Sequence, residues 1–243
     1  PVTVRLLDPP LHEFLPKTQK EIEDITKVVG LPFKEIETRI NELHEQIKGI
    51  LSKKKIPLKY IFITHQETPH SGGVGRFLNI YPDVEVHGDI NDYHMAFPKY
   101  AANFKAMEVG DRIDLGGMEF IAAEPVVRDM RTSLWGYISP QMLLFPADGF
   151  AYSHYHWDGH CGMIAEEADS LDLFDVSAVF AELALFWTNF VDMEIYTKRM
   201  EQLVDELGIK CIAPTHGLPI LDVGKTMPKV MEGLQAPYHK LAS

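Results

Sequence analysis

Three apolar runs in this chain each stop at a polar turn that carries a side chain able to bind a metal. "YIFITHQE" (60–67) passes from aromatic and β-branched residues into His65 and Glu67. "MLLFPADGF" (142–150) passes into Asp148, and "IKCIAPTHG" (209–217) into His216. Short runs of this composition, bounded by proline and glycine, read as buried strands. A polar group just past a strand end sits on a loop held by a rigid scaffold, a common place for functional side chains. One such end would be ordinary; three of them constrain how the strands are arranged.

Between these strands the pattern is helical, which predicts helices stacked on sheet faces and an α/β fold. Thr18 reads as the N-cap of a helix over 19–29 that ends at Gly30. Pro32 opens a second helix with a stripe of Ile36, Ile40, Leu43, Ile47 and Ile50, and Lys53-Lys54-Lys55 reads as its solvated end. A short helix near 73–80 and a strand at 84–88 follow. Residues 103–125 read as strand pairs turning at Gly110-Asp111 and Gly116-Gly117. Residues 169–207 are helical, and a terminal helix is expected near 225–235. Gly72, Gly73 and Gly75 fit a tight turn, since no phosphate-loop motif accompanies them.

The chain has 243 residues, 46% of them hydrophobic, which suits one domain over 1–243. No run of about 18 uncharged apolar residues is present, so a membrane span is not expected. The opening Pro1-Val2-Thr3-Val4-Arg5 lacks the regions of a signal peptide. With only Cys161 and Cys211 there is no disulfide framework, and a cytoplasmic location is expected. The net charge of −12, from 35 acidic and 23 basic residues, argues against nucleic acid as a partner.

His65 and Glu67 lie two apart and project the same way from an extended backbone, and His70 follows just before a helix start. Imidazole with carboxylate suits iron, zinc or manganese, and a carboxylate such as Asp148 can bridge two ions. Any one of these histidines alone reads equally as a surface or core residue. The set together reads as a metal site. "YSHYHWDGHC" (152–161) adds His154, His156 and His160 beside Cys161. These are either further ligands and proton carriers or a polar loop over the mouth of the site. Cys211, inside an apolar run, reads as a core residue.

In order, spacing and strand-end context, these residues resemble the metallo-β-lactamase fold, and within it the flavodiiron and oxygen-binding diiron branch. That branch carries His-x-Glu-x-Asp-His-x-Gly, then a lone His, a bridging Asp, and a final His in a Pro-Ser/Thr-His-Gly turn. "HQETPHSG" supplies His65, Glu67, His70 and Gly72; "LLFPADGF" supplies Asp148; "IAPTHG" supplies His216. Glu67 favours the diiron branch, because hydrolytic members of the fold usually have histidine there. The resemblance covers roughly 57–235. It implies an αββα sandwich with two sheets inside and helices outside. Residues 1–16 leave little room for the strand pair that opens this fold, so either the N-terminal sheet is abbreviated or the chain begins partway into the domain.

The resemblance implies one metal position at His65, Glu67 and Asp148, and another at His70, Asp148 and His216. Two departures stand out. Pro69 replaces an aspartate ligand, and no histidine occupies the lone-histidine slot in "AAEPVVRDMRTS" (122–133). Aligned on Pro125 the slot holds Arg128, a permanent cation; aligned on Ser133 it holds Asp129. The first register leads to the expectation of at most one metal, at the His70–Asp148–His216 position, with the guanidinium pairing Glu67. The second restores two.

By resemblance, the function is redox or oxygen-handling chemistry with one or two irons. It would act on oxygen or another small molecule, with electrons from an external redox partner. Flavin would enter only through a partner, since the chain has no room for a flavodoxin-like domain. A homo- or hetero-oligomer is expected. The rival readings are a zinc- or manganese-dependent hydrolase of the same fold, and a degenerate, non-catalytic subunit of a larger assembly.

Overall fold

The strand ends singled out above belong to two different sheets. In a computed structural model that describes residues 49, 57–67, 71–154, 163–168 and 171–242, the chain divides into two compact units, Pro1–Ala106 and Met107–Ser243. The helices expected before residue 51 lie outside the described residues, apart from the helical Gly49.

The first unit holds β1 (Tyr60–Ile63), α1 (Val74–Ile80), β2 (Glu85–Gly88), α2 (Tyr93–Ala96), a 3-10 segment (Pro98–Asn103) and β3 (Phe104–Ala106). Its three strands run parallel in the order β1-β2-β3. Strands covered on both faces read as continuous apolar runs, and Ile61, Phe62 and Ile63 are all buried. Val74, Phe77 and Leu78 form the apolar stripe by which α1 joins a core with Val84, Val86 and Ile90. Ile63 is in register with Gly88. A Cβ at Gly88 would stand 2.5 Å from the Ile63 carbonyl oxygen, and its φ is +148. Glycine therefore lets β1 and β2 close at the end where the His65 loop begins. His87, the residue before it, is buried; burial pushes its imidazole below 6.5 against the opposing pull of Glu85.

The second unit holds β4 (Arg112–Asp114), β5 (Glu119–Ala123), β6 (Trp135–Ser139) and β7 (Leu143–Phe145), then a 3-10 segment (Ala165–Glu167) and α3 (Leu173–Leu183). A second 3-10 segment (Phe186–Phe190), α4 (Glu194–Leu207), β8 (Cys211–Ile212) and α5 (Val223–Ala242) complete it. The sheet order is β4-β5-β6-β7-β8, antiparallel except for the parallel pair β7-β8. Helices α3 and α5 cross closely at small residues: a Cβ on Gly233 would lie 2.5 Å from Ser177 Cβ and 2.7 Å from the Phe174 carbonyl oxygen. Among the described residues no helix is long and apolar enough to cross a membrane.

Several expectations need correction. The hairpin at Gly116-Gly117 forms between β4 and β5, but Gly110-Asp111 joins no hairpin. β3 pairs with β2 instead, and its Phe104 ring packs edge-on against Tyr93 at 5.5 Å. The helical stretch 169–207 is broken into α3 and α4. Thr188 Oγ1 donates to the Ala181 carbonyl oxygen (3.2 Å) and Asn189 Nδ2 to that of Glu182 (3.1 Å), so side chains take over the last carbonyls of α3 and stop it. The terminal helix runs past both ends of its expected range, through Pro228 and Pro237. Strand β6 was not expected at all.

The start of α5 is held by Glu166. Its carboxylate accepts from Thr226 Oγ1 (2.6 Å) and from the backbone N–H groups of Asp222 (3.1 Å) and Leu221 (3.2 Å). Burial alone would raise this carboxyl, but the hydrogen bonds outweigh it and hold it below its ordinary 4.5. A depressed carboxylate stabilises the fold above its unfolded value and loses that contribution as pH falls through the folded one. We expect Glu166→Gln to cost about 1–2 kcal/mol at pH 7. The gap from wild type should stay level down to about pH 5 and shrink below about pH 4. Chemical denaturation across this pH range checks it, and a gap that widens on acidification would refute the assignment.

Candidate metal centre

Each unit presents its own group of candidate ligands. In the first, β1 ends at Ile63 and the chain bends at Thr64 into a fully buried His65. Thr64 Oγ1 lies 3.1 Å from His65 Nδ1. The other ring nitrogen, Nε2, stands 3.7 Å from Glu67 Oε2. A hydrogen bond on one imidazole nitrogen fixes the ring while the other nitrogen serves as ligand. The loop is tied down on both sides of His65. Gln66 Nε2 donates to the Asp89 carbonyl oxygen (2.6 Å), and the Glu67 carbonyl oxygen accepts from both Ser71 N (3.0 Å) and Ser71 Oγ (2.9 Å). His70 and Pro69 lie outside the described residues.

In the second unit the parallel register pairs Leu143 with Cys211 and Leu144 with Ile212. It continues past the strand ends, through Ala213 N to the Leu144 carbonyl oxygen (2.9 Å) and Thr215 N to that of Ala147 (3.0 Å). Carried one residue further, the register sets Asp148 opposite His216. Their Oδ1 and Nε2 atoms are 3.9 Å apart, with Asp148 buried and His216 half-buried. Ala147 sits at φ +49, a left-handed conformation that costs a non-glycine residue energy and is characteristically held at functional turns. The Phe180 ring packs against His216 at 5.4 Å between centroids.

These separations are compatible with two ligands of a common ion. Metal–ligand distances of about 2 Å put two ligand atoms of one ion roughly 3–4 Å apart. The pairs His65–Glu67 and Asp148–His216, at 3.7 and 3.9 Å, lie beyond hydrogen-bond range and within that span. Each pair joins one imidazole to one carboxylate, a donor set suited to iron, zinc or manganese.

The loop of the missing histidine turns on its own hydrogen bonds. Arg128 is exposed, its Nε donates to the Pro125 carbonyl oxygen (3.0 Å), and its own carbonyl oxygen accepts from Trp187 Nε1 (2.7 Å). Asp129 is half-buried, and its Oδ1 accepts from Ser133 Oγ (2.8 Å). His154 is half-buried, while His156, His160 and Cys161 lie outside the described residues. Cys211 is half-buried, and burial pushes its thiol up, as suits a core residue. Sequence reasoning gave no role to Thr64 or Phe180. Thr64 stands beside His65 in the chain and was findable; Phe180 reaches His216 only through the fold.

Comparison with known proteins bears on the fold. No protein-family model matches the chain. It is 25% identical over 206 residues to the nitric oxide reductase of Moorella thermoacetica, a match that covers 81% of this chain and 47% of that protein. Among solved structures, the flavodiiron protein of Giardia intestinalis superposes with a TM-score of 0.58 at 16% identity, covering 100% of this chain and 49% of that one. The chemotaxis sensor ODP, solved as a peroxy diiron species, gives 0.55 at 16%, covering 76% of each chain. The fold is thus the metallo-β-lactamase fold in the form found in flavodiiron cores, and the likeness to the flavodiiron branch stands. The chain spans less than half the length of the nitric oxide reductase it matches. A separate match, to the pyruvate, phosphate dikinase of Rhizobium meliloti, is 56% identical over 45 residues and covers 5% of that enzyme.

Proposed function

We propose that this chain is the iron-binding core of a diiron redox protein acting on oxygen or nitric oxide, with electrons supplied by a separate domain or protein. The observation that carries the reading is the pair of imidazole–carboxylate couples at strand ends, with a glutamate at position 67. The candidate ligands are His65, Glu67 and His70 in the first unit and Asp129, Asp148 and His216 in the second. Asp129 is assigned to the lone-histidine slot in this reading, which the exposure of Arg128 and its hydrogen bond to the Pro125 carbonyl oxygen support. Bound iron would supply the redox chemistry at which a diatomic gas is reduced.

The protein's own residues do the rest. Thr64 orients the His65 ring and Phe180 packs against that of His216. The buried Asp148 carboxylate provides negative charge that favours cations. The relatives named above, a nitric oxide reductase and a diiron chemotaxis sensor, support gas chemistry over hydrolysis.

Elemental analysis of protein purified without added metal tests this directly. We expect about two irons per chain, falling by about one in Asp129→Ala and unchanged in Arg128→Ala. The reduced protein should be reoxidised by oxygen or nitric oxide in a stopped-flow experiment. Zinc as the resident metal, with esterase activity and no reoxidation, would replace this reading with the hydrolase. One iron or fewer in the wild type would return the slot to Arg128.

A further inference from the structure

We infer that Tyr152 is a positioning residue: it clamps the His216 turn against the Asp148 loop and so sets the separation of these two side chains. The inference rests on the reading of Asp148 and His216 as metal ligands. Tyr152 lies four residues past Asp148 and is completely buried. It touches three consecutive residues of the opposite turn, each in a different way. Its backbone N–H donates to the His216 carbonyl oxygen (3.3 Å). Its ring lies over Gly217, where an added Cβ would come within 2.8 Å of Cε1 and Cζ, and where φ is +103. Its hydroxyl donates to the Leu218 carbonyl oxygen and accepts from the Leu218 N–H, both at 2.9 Å.

A tyrosine that merely filled the core would need none of this. Buried tyrosine hydroxyls take one partner commonly, whereas this one satisfies both backbone groups of a single buried residue. Glycine at 217 is what permits the close approach: no side chain intervenes between the phenol ring and the turn, and L-residues rarely adopt that φ. The His216 backbone is therefore fixed from the Asp148 side, by a residue in the same short loop as Asp148. Groups that orient metal ligands in this way typically change metal affinity by about 10–100-fold when removed.

Tyr152→Phe keeps the ring and removes the hydroxyl. Two readouts separate positioning from general packing. The first needs no metal. His216 packs against Phe180, so its ring protons carry a ring-current shift in the metal-free protein, assigned by comparison with His216→Asn. We expect that shift to collapse in Tyr152→Phe while circular dichroism and the melting temperature stay close to wild type. The second is titration with cobalt(II) alone, where we expect about tenfold weaker binding and an altered visible band.

An unmoved His216 resonance overturns the inference, and so does wild-type cobalt binding with an unchanged spectrum. If the wild type takes up no cobalt yet the resonance moves, the clamp stands and the metal reading fails instead. Should Tyr152→Phe fail to fold, Gly217→Ala reaches the same contact from the other side. It must displace the His216 signal likewise, and an undisturbed signal there overturns the inference.

Discussion

Asp148→Ala is expected to leave the chain with at most a trace of bound iron, the largest loss of any single substitution. The parallel register of β7 and β8 fixes this carboxylate opposite His216, in a turn held by Gly149 N to the Pro146 carbonyl oxygen (2.8 Å) and by Thr215 N to that of Ala147 (3.0 Å). In the ligand set proposed above it would take the bridging position, so its removal would take a ligand from both irons rather than one. Thermal stability gives an independent readout. A ligand at about 100 times its dissociation constant stabilises the native state by about 2.7 kcal/mol. For a chain of this size that corresponds to a rise of roughly 5–10 °C. The wild type should show that rise on adding iron(II) anaerobically, and Asp148→Ala should not. If His154→Ala removes more iron than Asp148→Ala, the binding site lies in the histidine-rich segment and the ligand assignment proposed above is wrong.

The parts of this site that were legible in the sequence share one physical property: they depend on where a strand stops. His65, Asp148 and His216 each follow an apolar run that ends at a turn, and they lie two, three and four residues past β1, β7 and β8. A pattern of this kind is local, and proline and glycine mark it. What stayed hidden depends on contacts made at a distance. Nothing in residues 103–114 says that β3 joins β2 in one sheet while β4 joins β5 in another; the choice is made by Phe104 packing on Tyr93 and by the register with Val86. The break after α3 is invisible to hydrophobic periodicity, because Thr188 and Asn189 act through hydrogen bonds to carbonyls a helical turn or more behind them. Strand β6 escaped because "WGYIS" opens with a glycine at its second position, which reads as a turn. Tyr152 and Phe180 carry no local mark at all. They matter only because of what the fold brings to them.

Gly149 has a similar hidden constraint, and Gly149→Ala is expected to be the most damaging change to stability in the second unit. Its backbone conformation is an ordinary one; the constraint is space. A Cβ there would stand 2.1 Å from Trp135 Cζ2, 2.9 Å from Cε2 and 3.0 Å from Cη2, closer than carbon atoms can approach. Trp135 cannot swing away, since it is fully buried among Ala147, Phe150, Tyr152 and the rest of the core, with Phe150 at 5.8 Å between ring centroids. The Asp148 turn must therefore move. Overpacking of a dense core costs about 1–3 kcal/mol and occasionally more, and the shortness of this contact puts the variant at about 3 kcal/mol, or a fall in melting temperature of roughly 6–12 °C. Because the displaced residue is the neighbour of Asp148, iron affinity should fall with stability. A second substitution isolates the cause. Trp135→Phe removes the ring atoms that the new Cβ would strike, and it sacrifices no indole hydrogen bond, since Nε1 has no partner among the described residues. Combined with Gly149→Ala it should recover a large part of both losses, with a coupling of at least about 1 kcal/mol in a double-mutant cycle. Strict additivity of the two substitutions would mean that the indole is not what Gly149 makes room for.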